Sequence, residues 1–166
     1  MSCITKLLEM KGDQPFLFAY DGVVIEGGGK YQGYEYLITF TDWGHRCGYV
    51  ALQSDDSYDP DEINCHGGIT FEGREHAAKD LLSIPCNDTW IGFDAGHGYD
   101  FPCYETLKRY FGNDEKILDR AKLIEEVYGD STYLYPQNKP IGKHRTFEYM
   151  TEQCKNIIDQ LIERAA

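Results

Sequence analysis

The strongest constraint on the fold is a change of periodicity along the 166-residue chain. Residues 15–52 are rich in Tyr, Phe, Val, Ile and Thr and are punctuated by glycine, which is typical of strands and tight turns. In the last third, apolar residues recur at helical spacing, most clearly over 145–166. Strands first and helices afterwards predict an α+β domain, with an antiparallel sheet from the N-terminal half packed on one face against C-terminal helices.

The same patterns predict individual elements within a single domain, 1–166. Strands are expected over 16–20, 23–26, 34–41, 47–52, 69–71 and 90–93, and helices over 74–82, 104–111, 114–128 and 145–166. Thr146 is the expected N-cap of the last helix, whose apolar stripe comprises Phe147, Met150, Cys154, Ile157, Ile158 and Leu161. Turns or loops are expected at Asp21-Gly22, Gly27–Gly29, 53–64 and 131–143.

Composition narrows the class of protein. The formal net charge is −12 and the pI about 4.7, so direct binding to nucleic acid or to an anionic membrane is not expected. The N-terminal residues do not resemble a signal peptide, and no apolar run is long enough to span a bilayer, so we expect a cytoplasmic protein. In that compartment the six cysteines are expected to be thiols. Exposed tyrosines could form an interface between copies of the chain, so a homo-oligomer remains possible.

Two segments place ionisable side chains beside glycines and between aromatic or β-branched residues. The first runs from Cys65 through His66-Gly67-Gly68 to Phe71, and the second from Trp90 to Asp100. This composition is typical of strands that run into tight, exposed turns, where glycine lets a ligand or another backbone approach closely. We therefore expect the two histidine-bearing turns to meet at a solvent-accessible hollow.

These segments also carry a resemblance. The chain resembles a family of small uncharacterised proteins of bacteriophages, prophages and bacteria. The residues that carry the resemblance are Gly48-Tyr49-Val50-Ala51, His66-Gly67-Gly68-Ile69-Thr70-Phe71, Trp90-Ile91-Gly92-Phe93-Asp94 with His97 and Asp100, and Arg145-Thr146-Phe147-Glu148-Tyr149. The resemblance runs from about Gly48 to the C-terminus and covers residues 1–47 poorly. It implies a phage or prophage setting, and with it a location in the host cytoplasm, but no reaction.

The leading interpretation is a binding protein with a pocket lined by glycine and histidine. It would hold a small anionic, nucleotide-like ligand, or a host defence factor. His66 and Thr70 would donate hydrogen bonds from their side chains, and Gly67 and Gly68 from their backbones. Trp90 is a candidate for stacking on a base, and His97 could complement a phosphate. Asp94 would orient a histidine.

Other interpretations remain open, and no catalytic residue is assigned. A metal-dependent hydrolase would use His66, Asp94, His97 and Asp100 as ligands, so a divalent metal is possible although no cofactor is predicted. Cys65 as a nucleophile is a further alternative. A third alternative is an acidic interaction module that inhibits another protein. A purely structural role would make Asp94 a turn cap and place Trp90 in the core.

Overall fold

The computed structural model describes residues 2–20, 22–74, 88–97, 100–112, 114–129 and 144–166. The helices are α1 (Cys3–Lys11), α2 (Tyr104–Phe111), α3 (Glu115–Gly129) and α4 (Phe147–Ala165). The strands are β1 (Leu17–Tyr20), β2 (Val23–Tyr31), β3 (Tyr34–Thr41), β4 (Arg46–Ala51), β5 (Phe71–Arg74) and β6 (Thr89–Asp94). Asp21, nearly all of the helix predicted over 74–82, and the loop predicted over 131–143 lie outside the described residues.

In the described part of the chain, six strands form one antiparallel sheet in the order β1-β2-β3-β4-β6-β5. The first four strands form a meander, in which each strand pairs with the next along the chain. Strand β6 then pairs with β4, and β5 lies beyond it at the sheet edge. The sheet with its C-terminal helices confirms the predicted α+β class.

The glycine run after Glu26 does not form the predicted turn. Gly27, Gly28 and Gly29 lie inside β2, directly after an irregularity in its pairing with β3. A Cβ on Gly28 would stand 2.2 Å from the carbonyl oxygen of Tyr36, so this position requires close backbone approach. The prediction was wrong because a glycine inside a strand can mark a bulge or a close backbone contact, as well as a turn.

The C-terminal helices pack on one face of the sheet, as predicted, and the N-terminal helix α1 covers the other face. Leu37 and Trp90 pack against Cys3, Ile4 and Leu7 of α1. Their neighbours in sequence, Ile38 and Ile91, pack against α4 on the opposite face, because successive side chains of a strand alternate. Helix α1 was not predicted.

Helix α4 forms for the reasons that the sequence indicates. The Thr146 side chain accepts a hydrogen bond from the Tyr149 backbone N–H at 3.1 Å and caps the first turn. The predicted apolar stripe packs on the sheet, and its residues Met150, Cys154, Ile157, Ile158 and Leu161 are buried. Helices α2 and α3 pack on the same face near β1 and β2, around Val24 and Phe40. The start of α4 is thus fixed against the sheet.

The cysteines are not all thiols. Cys47, Cys65, Cys103 and Cys154 are free, but Cys3 is disulfide-bonded, so the expectation of six thiols is wrong. Spacing along the chain cannot show which cysteines the fold brings within bonding distance.

None of the helices among the described residues is both long and apolar enough to cross a bilayer. The cytoplasmic location stays a prediction.

Candidate functional site

The first histidine-bearing turn is attached to α4. Gly68 donates its backbone N–H to the carbonyl of Cys65 at 3.0 Å, which closes a tight turn around His66. The His66 backbone N–H donates to the Gln153 side chain of α4 at 2.8 Å. The side chain of His66 is only 5% exposed. His66 is therefore held beneath the turn.

Asp100 joins this histidine to the second turn. Its Oδ2 atom lies 2.8 Å from Nε2 of His66 and 3.0 Å from Nδ1 of His97. The same oxygen accepts the backbone N–H of His97 at 3.2 Å, and the Asp100 N–H donates to the His97 carbonyl at 2.8 Å. The two imidazole rings are 5.4 Å apart at their centroids, in an edge-to-face arrangement. The expected meeting of the two histidines is thus present. We call these three residues the His–Asp cluster.

The start of α4 supplies the outer contacts of the cluster. Arg145 donates from Nε to Oδ1 of Asp100 at 2.8 Å, and the Tyr149 hydroxyl lies 2.8 Å from Nδ1 of His66. The Arg145 guanidinium also lies 5.1 Å from the centroid of the Tyr149 ring. Arg145 and Tyr149 therefore support Asp100 and His66 from the side of α4.

The hydrogen bonds to Asp100 determine its charge. Burial alone would raise the pKa of this carboxyl, but hydrogen bonds from His66, Arg145 and His97 outweigh burial and lower the pKa to about 2. An ionised carboxylate can only accept hydrogen bonds, so Nε2 of His66 carries a proton. In the neutral ring, Nδ1 of His66 then accepts from the Tyr149 hydroxyl.

The contacts of Gly67 explain why glycine follows His66 in the first turn. Its φ angle is +70°, and a Cβ at this position would lie 2.2 Å from Cε1 and 2.4 Å from Nε2 of His97. The first turn can therefore approach the second only because residue 67 lacks a side chain. Gly68 also has a positive φ, +80°, but faces open space.

A cavity of about 280 Å³ opens beside the cluster. Its lining residues are Trp43, His45, Gly96, His97, Asp100, Pro102 and Ile124. The His45 ring lies against Gly96, because a Cβ on that glycine would be 2.9–3.1 Å from three ring atoms. Burial lowers the pKa of His45, so this ring is neutral at pH 7. The cavity thus combines an apolar wall with two histidines and a carboxylate.

Three predicted site residues, Thr70, Asp94 and Trp90, have their side chains outside the cluster. Asp94 accepts from the Thr70 hydroxyl and from the Gly96 N–H, both at 3.0 Å, so Asp94 acts as a turn cap. Trp90 is 1% exposed and packs in the core against α1. The side chains of Asp94 and Trp90 point to the face opposite Phe93 and α4, because they alternate with Phe93 along β6. Asp100, and not Asp94, contacts the histidines.

Cys65 lacks the environment of a nucleophile. Burial raises the pKa of its thiol to about 11, so the thiol stays protonated at neutral pH. Its side chain packs against the core between the sheet and α4. Cys65 therefore behaves as a small apolar residue.

Sequence reasoning gave no role to His45 and singled out Arg145 and Tyr149 only through the family resemblance. The predicted N-cap Thr146 places Arg145 just before the last helix and Tyr149 in its first turn, which is a signal that both side chains lie at the same helix end. Nothing in the local sequence indicates that this end faces Asp100.

The cluster could hold a metal ion. One potential ligand atom from each of His66, His97 and Asp100 lies within 4.8 Å of the others. Two imidazoles and a carboxylate form a ligand set used for zinc and non-haem iron. Three of the four predicted metal ligands are therefore together, and Asp94 is not among them.

No protein-family model, curated protein or solved structure matches the chain.

Proposed function

We propose that this is a metal-binding protein whose ion is held by His66, His97 and Asp100 and faces a cavity that receives a small ligand. The observation that carries the proposal is the position of Asp100 Oδ2, at 2.8 Å from one imidazole nitrogen and 3.0 Å from another. A single metal ion could replace the ring protons through which His66 and His97 hydrogen-bond to Asp100.

The surroundings of the cluster fit this role. Metal-bound histidines usually donate their other ring N–H to a fixed acceptor. If an ion replaced the proton on Nε2 of His66, the ring proton would stand on Nδ1 and donate to the Tyr149 hydroxyl, which lies 2.8 Å away. Arg145 occupies the second oxygen of Asp100, which orients the carboxylate. Since Asp100 is ionised, an ion that displaced the two ring protons facing this carboxylate would gain one negatively charged ligand and two imidazole ligands.

The cavity supplies the second requirement, access for a ligand. His97 and Asp100 line it directly, so an ion in the cluster would face its interior. Trp43, Pro102 and Ile124 offer apolar contact for the ligand, and His45 offers a hydrogen-bonding group. A bound metal would act there as a Lewis acid and lower the pKa of a coordinated water, which is the chemistry of a hydrolase.

Metal binding is tested with protein stripped by a chelator and titrated with Zn²⁺ or Mn²⁺ in a calorimeter. We expect one ion per chain and a higher melting temperature in the presence of metal. Asp100→Asn and His97→Ala should abolish binding. Asp94→Asn is the matched control, because Asp94 lies in the same turn and caps it without touching either histidine in the described structure.

Two results would overturn the proposal. Wild-type protein that binds neither ion would exclude the metal centre. Equal loss of binding in Asp94→Asn and Asp100→Asn would show that binding depends on the fold of the turn and not on the cluster.

A metal-free site for a small anionic, nucleotide-like ligand is a second candidate. The Arg120 guanidinium lies 3.9 Å from the centroid of the Trp43 ring, which places a cation next to the cavity. The test is thermal-shift screening of nucleotides with a chelator present. A stabilisation that is lost in His45→Ala and in Arg120→Met favours this candidate. A stabilisation that both variants retain counts against it.

The phage or prophage setting, a host defence factor as partner and an acidic inhibitory surface stay predictions. They are tested by retention of a bacterial protein on the immobilised chain. Retention that weakens at high salt would favour the acidic surface.

A further inference from the structure

The buried ion pair between Arg46 and Glu26 lies outside the proposed metal site and is not explained by it. The side chains of Arg46 and Glu26 are 10% and 6% exposed. Arg46 donates from Nε to Glu26 at 2.6 Å and from Nη2 at 2.9 Å, which is a two-pronged pairing. Buried pairs of this kind contribute little net stability, because desolvation offsets their attraction. Stability alone therefore does not account for its presence.

The third nitrogen of Arg46 connects the pair to the site. Nη1 donates to the backbone carbonyl of Arg145 at 2.9 Å, and Arg145 donates from Nε to Asp100 at 2.8 Å. The backbone carbonyl of Arg46 accepts the N–H of Ala95 at 2.9 Å, at the start of the turn that carries His97. Arg46 therefore contacts two of the three chain segments that meet at Asp100.

The other end of the chain of contacts is equally fixed. Glu26 Oε1 also accepts the hydroxyl of Tyr110 from α2 at 2.6 Å. The Arg46 guanidinium and its partner Glu26 thereby join four parts of the chain, namely β2, β4, α2 and the residue before the cap of α4. Lysine could not make these contacts together, because its ammonium lacks the planar fork.

We propose that Arg46, oriented by Glu26, is a positioning residue that sets the orientation of Arg145 and hence of the Asp100 carboxylate at the metal site. This inference rests on the proposed function. Arg46 touches neither ligand nor ion, and it acts through the backbone of Arg145. Residues that orient metal ligands from outside typically change metal affinity by about 10- to 100-fold when they are replaced.

The test uses the double variant Arg46→Met with Glu26→Gln, which removes both charges together and keeps an acceptor for Tyr110. We expect it to fold with a melting temperature near that of wild type and to bind Zn²⁺ at least about tenfold more weakly. The matched control is Arg164→Met with Glu62→Gln, which removes an exposed pair remote from the cluster and should leave the affinity unchanged. An unchanged affinity in the Arg46 variant would overturn the inference.

Two further measurements keep the outcome decisive. If the double variant does not fold, Arg46→Lys retains a charge for Glu26, and we expect it to fold and still lose about tenfold in affinity.

Long-range ¹H–¹⁵N spectra of the imidazoles in metal-free protein report the protonation and hydrogen bonding of His66 and His97 directly. If wild type binds no metal, the proposed function fails, but His66 and His97 resonances that shift in the Arg46 variant alone still support positioning. Unshifted resonances contradict it.

Discussion

Asp100 connects three parts of the chain through one carboxylate. It accepts from His66 on the first turn, from His97 on its own turn and from Arg145 before α4. Since the side chain is 1% exposed, water cannot replace these partners. Loss of its charge therefore affects all three segments at once.

The first prediction concerns pH. The pKa of Asp100 is about 2 in the folded chain against an ordinary value of 3.8, so its contribution to stability is complete above 3.8 and is lost as the pH falls toward 2. In chelator-treated protein at neutral pH, we expect Asp100→Asn to lower the free energy of unfolding by about 2 kcal/mol. Urea unfolding should show that this deficit shrinks between pH 4 and pH 2. A deficit that stays constant over that interval contradicts the assignment.

The second prediction compares two neighbouring glycines with positive φ. Gly68→Ala should cost only backbone strain, about 1–2 kcal/mol, because its side faces open space. Gly67→Ala carries the same strain and also displaces the His97 ring, so it should cost at least about 1 kcal/mol more and weaken metal binding. Denaturant unfolding and metal titration of the two variants check this. Equal effects would mean that the ring does not depend on Gly67.

At the scale of elements, the N-terminus of α4 presents the outer support of the cluster. Thr146 caps the helix, Arg145 precedes the cap and Tyr149 lies in the first turn. Fraying of this turn would move Arg145 and Tyr149 away from Asp100 and His66. The cap is therefore coupled to the site.

The third prediction compares two helix caps. Thr146→Ala and Ser2→Ala each remove a side-chain acceptor of a backbone N–H, at α4 and α1 respectively, and each should cost about 1 kcal/mol. Only Thr146→Ala should alter the imidazole resonances of His66 and weaken metal binding. Unaltered resonances in Thr146→Ala would show that the site tolerates a frayed helix start.

At the scale of the whole molecule, the sheet is the common support. Helix α4 buries its apolar stripe on one face, and α1 packs on the other. The strand ends and turns that carry His45, Asp94 and His97 are thus held by a core that extends on both sides. The position of the cavity depends on that core.

The fourth prediction tests the core. Ile157→Ala removes a fully buried side chain from α4 and should destabilise the protein by about 2–5 kcal/mol. Leu123→Ala changes a side chain that is 59% exposed and should change stability by no more than about 0.5 kcal/mol. Thermal and urea unfolding check both. A small loss in Ile157→Ala would contradict the packing of α4 on the sheet.

Local patterns predicted most of the elements. The spacing of apolar residues indicated β3, α2, α3 and α4 to within about two residues, because periods of 2 and 3.6 report local geometry directly. The missed elements were those where local chemistry is ambiguous. The glycines of β2 suggested a turn, and the short helix α1 gave no strong periodic signal.

The sequence alone was enough to identify the two histidine turns, because glycine can adopt the backbone conformations of tight turns that other residues avoid, and ionisable residues beside it favour an exposed position. It could not distinguish Asp94 from Asp100, since that choice depends on which face of β6 meets α4. Only the tertiary structure joins His66 to Asp100, 34 positions apart, and Asp100 to Arg145, 45 positions apart. Contacts of that range arise when the sheet and helices bury their apolar faces, and no local pattern encodes the partners that burial brings together.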